Sequence, residues 1–121
     1  MAAAQNNPAP YGPLTPAMFH VLLALAGEDL HGYAILKEVE LRTDGKVRLS
    51  TGTLYGIIKR LLNDGLITEL RSRPAESEDE RRRYYRLTPQ GRQVAAEEAE
   101  RMDEVLSIAR SRNLLKKTRT A

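Results

Sequence analysis

The chain of 121 residues has no cysteine and no tryptophan, a single phenylalanine, and aromatic side chains at only 5% of its positions. The lack of cysteine excludes disulfides, thiolate metal ligands and thiol nucleophiles, and it fits a reducing compartment. With so few aromatics the core must come from Leu, Ile, Val and Ala, which suits packed helices. No apolar run approaches the roughly 20 residues that a membrane-spanning helix needs, so no membrane association is expected. The opening MAAAQNNPAPYGP has no basic stretch followed by an apolar one. It is therefore expected to be a flexible tail rather than a secretory leader, and the expected compartment is the cytoplasm. Only two histidines, His20 and His31, titrate near neutral pH, and neither stands at a metal-binding spacing from another ligand. There is no phosphate-binding glycine loop and no nucleophile motif. The expectation is a non-enzymatic protein with no metal and no cofactor.

What is present reads as a helical domain. Hydrophobic residues make up 41% of the chain and charged residues 29%, with a net charge of +3. Those proportions describe one globular domain with tails. Thr15 and Pro16 supply an N-cap and a first helical residue, Leu14 and Phe19 occupy the two staple positions, and Gly27 can end the first helix. In HGYAILKEVELRTDG, Ile35, Leu36 and Val39 form one apolar face, His31 stands at the helix start, and Asp44-Gly45 closes it. A third helix begins after Ser50, where Leu54, Ile57, Ile58, Leu61 and Leu62 follow the i, i+3, i+4, i+7, i+8 pattern of a buried face. Gly65 is the expected left-handed residue beyond it, and Leu66 the apolar contact that follows.

Residues 66–71 and 82–87 then read as two strands of a hairpin, joined by a polar loop around Pro74. Thr88-Pro89 repeats the cap-and-proline start for a last helix reaching about Arg112. Along it Ala95, Ala99, Met102, Leu106 and Ala109 form a short heptad seam between acidic flanks, an arrangement expected to pair with a second copy. Asn113 falls on the same seam, where a polar residue would fix register, and the first helix is expected to join this interface. The expected units are a tail at 1–13, a DNA-binding unit at 14–88, a dimerisation helix at 89–113 and a basic tail at 114–121.

Three helices, a hairpin and a further helix make a mainly α fold with a small β-hairpin: a winged helix-turn-helix plus a C-terminal dimerisation helix. In such a fold the third helix enters the DNA major groove. Projected at 100° per residue, STGTLYGIIKRLLN turns Gly52, Gly56, Lys59 and Asn63 away from the core, with Thr53, Tyr55 and Arg60 beside them. Each glycine costs about 1 kcal/mol relative to Ala in a helix. That cost has a reason if the backbone must approach another surface. The helix N-terminus suits phosphate, and Ser50, Thr51 and Thr53 add hydroxyl donors there. From Lys46 to Asn63 there are four basic residues and no acid. Taken singly, the hydroxyls are also explained as caps and the glycines as sites of close helix packing. The combination points to double-stranded DNA.

LHGYAILKEVE, LSTGTLYGIIKRLLNDGLI and RRRYYRLTPQGR together resemble the PadR family of bacterial transcription regulators, over about Leu14 to Met102. The resemblance implies a homodimeric repressor with a winged helix, of the short subfamily with a single C-terminal helix. It implies DNA contacts by Ser50, Thr51, Thr53, Tyr55, Lys59, Arg82 and Arg83, to which the helix projection adds the outward Gly52 and Gly56, and a small aromatic or hydrophobic effector near the dimer interface. Gly56 stands where many members have Pro, and the expected wing tip AESEDE carries four acids that phosphate would repel. Two readings stand for Tyr55, a hydroxyl donated to phosphate or packing beside Leu62, and the resemblance favours the first. Arg81, Arg82 and Arg83 either meet DNA or neutralise the acids before them. The alternative to a DNA-binding regulator is a winged-helix module that binds another protein. A MarR-like dimer would keep the function and change the dimer contacts.

Overall fold

The computed structural model describes residues 14–70 and 83–116. Its elements are α1 (Pro16–Gly27), β1 (Leu30–His31), α2 (Gly32–Arg42), α3 (Thr51–Asn63), β2 (Ile67–Leu70), β3 (Tyr84–Leu87) and α4 (Pro89–Ser111). The helices start where their capping residues demand. The hydroxyls of Thr15, Ser50 and Thr88 accept the backbone N–H three residues on, at 3.1, 3.1 and 2.9 Å. His31 does the same for α2 through Nδ1, at 3.2 Å from the Ala34 nitrogen. Each bond satisfies a helix N–H that would otherwise lack an intrahelical partner.

The α3 terminus is a Schellman turn: Gly65, at φ +75°, donates to the Leu62 carbonyl, and Leu66 donates to that of Leu61. Leu61 and Leu66 are both fully buried, which supplies the apolar contact such a turn needs. The same bonding closes α4, with Asn113 at φ +64° donating to Arg110 and Leu114 donating to Ala109. Asn113 is therefore the left-handed residue that stops the helix. Asparagine tolerates that conformation better than most side chains.

The sheet has three strands in the order β1-β3-β2, all antiparallel. The sequence predicts only the β2–β3 hairpin. β1 is two residues long, too short for any periodicity, and it pairs Leu30 with Tyr85 and His31 with Tyr84. β2 begins at Ile67 rather than Leu66, because Leu66 is taken up by the α3 turn. Pro74, the acidic tip, Arg81 and Arg82 lie outside the described residues.

One core holds these pieces together. Val21 and Leu22 of α1, Ile35 and Val39 of α2, and Leu54, Ile58 and Leu61 of α3 meet Ile67, Tyr85 and Leu87 of the sheet. Each fully buried Leu or Ile stabilises the fold by roughly 2 kcal/mol. Leu14, Leu36, Ile57 and Leu62 pack on its edge. The core continues past residue 89 into α4. Gly91 is buried, and Ala95 is only 7% exposed. Ala95 was expected at a subunit interface; it lies inside its own chain's core, because the first turns of α4 pack on α1 and β3. α1 and α2 are further joined by Arg42, which makes a two-point ion pair with Glu38 at 2.7 and 2.9 Å. Arg42 also reaches the Nδ1 and carbonyl oxygen of His20 at 3.1 and 3.2 Å.

Candidate nucleic-acid interface

α3 is held from below by Leu54, Ile58 and Leu61, so its opposite side faces solvent. Thr51, Gly52, Thr53, Tyr55, Gly56, Lys59, Arg60 and Asn63 are all exposed. A Cβ built on Gly52 or Gly56 would meet nothing within 4 Å. Close packing inside the chain therefore does not explain either glycine, and a flat, side-chain-free strip remains on the outer face. At the start of the helix the Ser50 hydroxyl accepts the Thr53 N–H and lies 2.9 Å from the Thr53 hydroxyl. Ser50 is thus a cap as well as a surface hydroxyl.

The acid-free window acquires acids from outside itself. Arg48 lies 3.6 Å from Glu40 of α2, and Arg60 lies 3.6 Å from Asp64 just beyond the helix. Such exposed pairs contribute little energy, but they reduce the local positive potential. Lys46 and Lys59 are exposed and make no ion pair among the described residues. The positive charge most available on this face is therefore that of the two lysines.

Tyr55 is 47% exposed, and its hydroxyl end lies over Gly32 at the start of α2. No local pattern along the chain signals this contact. Around the same point the His31 ring meets Tyr84 edge-on, with centroids 5.3 Å apart. Burial, followed by the neighbouring Glu69 and Tyr55, pushes the Tyr85 phenol above its usual pKa, while Arg83 pulls it the other way.

On the wing, Arg83 is exposed and lies 3.4 Å from Glu69 on the adjacent strand. It neutralises this acid of β2, a pairing not anticipated from the sequence, while Arg82 lies outside the described residues. Arg86 grips Asp29 with two nitrogens at 2.8 and 3.2 Å, tying the central strand to the α1–β1 loop. This pair holds the Asp29 carboxyl below the usual range and raises the Arg86 guanidinium.

The second candidate surface is the outer half of α4. Met102, Val105, Leu106 and Ile108 are 38, 59, 42 and 56% exposed. Ala99 is also exposed, and Ala109 is half-buried. Val105 and Ile108 lie outside the predicted seam, so the apolar surface is broader than a strict heptad stripe. Among the described residues no helix is long and apolar enough to cross a membrane, and no three His, Asp or Glu side chains gather as a metal site would require.

Comparison with known proteins agrees with this geometry. The chain is 33% identical over 86 residues to Transcriptional regulator Rv3488 of Mycobacterium tuberculosis, covering 71% of this chain and 75% of that protein. It is 43% identical over 86 residues to an uncharacterized 37.1 kDa protein in a transposon of Streptomyces fradiae, but spans only 23% of that protein's length and 71% of its own. A transcriptional regulator from Clostridium thermocellum superposes with a TM-score of 0.66 at 28% identity, covering 78% of this chain and 89% of that one. Residues 21–97, more than half of the chain, match the Transcriptional regulator PadR-like family. The winged helix, its exposed third helix and this match together make the chain a member of the PadR-like family of transcriptional regulators.

Proposed function

We propose that this chain is a homodimeric repressor that binds double-stranded promoter DNA in the cytoplasm and responds to a small aromatic or hydrophobic effector. The observation that carries the DNA reading is the outer face of α3. It combines two glycines with nothing over them, a hydroxyl-bearing N-terminus and Lys59, on a helix seated rigidly in the core. Ser50, Thr51 and Thr53 meet phosphate or base edges near the helix start, Gly52 and Gly56 allow the backbone to come close, and Lys59 supplies charge. Arg82 and Arg83 reach the backbone from the wing.

The dimer reading is supported by Met102, Val105, Leu106 and Ile108, an apolar face left exposed by the described residues of its own chain. Ala99 and Ala109 complete that seam. Two α3 helices related by a twofold axis would enter major grooves about one helical turn apart. An effector would act by binding unequally to the DNA-competent and incompetent arrangements of the two heads.

Fluorescence anisotropy with DNA from the gene's own upstream region, against a scrambled duplex and across a salt series, tests the reading. Binding should prefer the upstream duplex and weaken with salt as counterions are released. Lys59→Ala should reduce the salt slope by about one. A folded dimer that binds no duplex at low salt, including duplexes selected from random pools, would instead support a winged-helix module that binds a protein. The pairing of Arg48 with Glu40 and of Arg60 with Asp64 is the observation on that side, since it removes half of the expected positive charge.

A further inference from the structure

We infer that Tyr55 is a positioning residue: its ring, seated on the bare backbone of Gly32, sets the angle of α3 against α2 and the sheet. The inference rests on the DNA-binding reading of α3 and revises one residue within it. A Cβ placed on Gly32 would lie 2.3 Å from the Tyr55 hydroxyl oxygen, 2.8 Å from Cζ and 3.2 Å from Cε1. All three nearest atoms belong to Tyr55, so the space left by the missing side chain is filled by this one ring. Gly32 is buried, although it begins a helix at the edge of the domain.

The seat is built from three directions. His31, just before Gly32, caps α2 through Nδ1, so the backbone at this point is fixed by a hydrogen bond. Its ring packs edge-on against Tyr84 of β3. Tyr85, the next residue of β3, is buried and close enough to Tyr55 to be affected by its charge. Tyr55 thus contacts the α2 start and lies next to the central strand, while Gly52, Gly56 and Lys59 of α3 face outward. A reading helix needs its angle held, because a tilt displaces base contacts several residues from the pivot. The core residues Leu54, Ile58 and Leu61 hold the underside of α3, and the Tyr55 ring blocks rotation about that line.

A phosphate donor and a positioning ring make opposite predictions. Intrinsic helix preference alone would make Gly32→Ala raise the melting temperature. The seat predicts a lower one, because the methyl drives the ring outward. In a Tyr55→Ala background the methyl meets no ring, so the same Gly32→Ala change should then leave the melting temperature unchanged or raise it. This reversal is measured on free protein by thermal denaturation and does not depend on any DNA.

Binding supplies the second arm. Gly32→Ala and Tyr55→Ala should each weaken upstream-DNA binding about tenfold, and the double variant no more than either alone, as coupled neighbours do. Tyr55→Phe keeps the ring and should restore affinity, with the salt slope unchanged. Equal melting shifts from Gly32→Ala in both backgrounds would overturn the seat. So would a Tyr55→Phe variant that binds as poorly as Tyr55→Ala with a salt slope lower by about one, the mark of a lost phosphate contact. If wild type binds no duplex, the melting arm still decides the seat, and the DNA reading fails on its own.

Discussion

Two glycine-to-alanine substitutions in helices of the same chain should move stability in opposite directions. Gly91 lies in the first turn of α4, where a methyl would stand 2.0 Å from the Leu66 carbonyl oxygen and 2.9 Å from both the Leu66 carbonyl carbon and Leu87 Cδ1. The nearest of these is backbone and cannot swing aside. Ordinary contact distances require α4 to withdraw by about 1 Å or more. Withdrawal stretches three bonds: Gly91 N–H to the Thr88 hydroxyl at 2.9 Å, the Thr88 hydroxyl to the Gly65 carbonyl at 2.7 Å, and Thr88 N–H to the Leu66 carbonyl at 3.1 Å. Overpacking costs roughly 1–3 kcal/mol. Weakened hydrogen bonds add about 1 kcal/mol each if lost, and alanine's helix preference returns at most about 1 kcal/mol. The expected net loss for Gly91→Ala is about 3 kcal/mol, a large part of the 5–15 kcal/mol available to a domain of this kind. Gly56→Ala meets nothing within 4 Å and should stabilise by up to about 1 kcal/mol. The assay is urea denaturation followed by circular dichroism at 222 nm, with all proteins at one concentration so that assembly contributes equally. A Gly91→Ala variant as stable as wild type would refute the packing argument. A destabilised Gly56→Ala would refute the claim that its glycine is unconstrained by the fold, and Gly56→Ala should weaken DNA binding while it raises stability.

Three further outcomes are expected. Thr88→Ala removes a hydroxyl that both caps α4 and donates to Gly65, and should cost about 2 kcal/mol in the same denaturation assay, with Thr88→Ser recovering most of it. Leu106→Glu, which puts a charge in the middle of the exposed α4 face, should shift the protein to monomer by light scattering coupled to size exclusion while leaving the thermal transition of the fold intact. His20 should make stability fall on mild acidification. Burial and then Arg42 hold its pKa below the ordinary value of 6.5, with Glu38 opposing them. Arginine has no acceptor, so His20 Nδ1 must accept from Arg42, which requires a neutral ring. The unfolded chain takes up this proton first, so stability is complete above about pH 6.5 and declines as pH falls toward the lowered folded value. His20→Gln should flatten that part of the pH–stability profile; an unchanged profile would remove His20 as its source.

The helices were legible because each rests on a local signal. Thr15, Ser50 and Thr88 are capping residues whose hydroxyls bond to the chain three residues on, and the apolar spacing of Leu54, Ile58 and Leu61 is a backbone periodicity. The parts that were not legible depend on residues distant in sequence. β1 exists only because Leu30 and His31 find Tyr85 and Tyr84 more than fifty residues later. The acid-free window from Lys46 to Asn63 is real along the chain and partly cancelled in space, since Glu40 and Asp64 border it at both ends. The Tyr55–Gly32 contact joins two segments that carry no shared pattern. A glycine at a helix start and a tyrosine on an outer face each have ordinary local explanations.

The α4 seam shows why heptad spacing alone does not locate an interface. Ala95, Ala99, Met102, Leu106 and Ala109 share one face of one helix, and the spacing assigns them one role. The structure divides them. Gly91 and Ala95 are drawn into the core because the Leu66 carbonyl and α1 lie against the first turns, where only a hydrogen or a methyl fits. From Met102 to Ile108 the side chains become large and exposed: Met102, Val105, Leu106 and Ile108 stand where alanine and glycine stood before. Side-chain size along the face therefore carries information that the spacing does not. Small buried residues mark where a helix rests on its own chain, and large exposed ones mark where it has surface left to cover. On this criterion the proposed self-association surface begins near Ala99 rather than at Ala95, and Ala95→Leu should destabilise the folded chain, whereas Ala99→Leu should leave its fold intact.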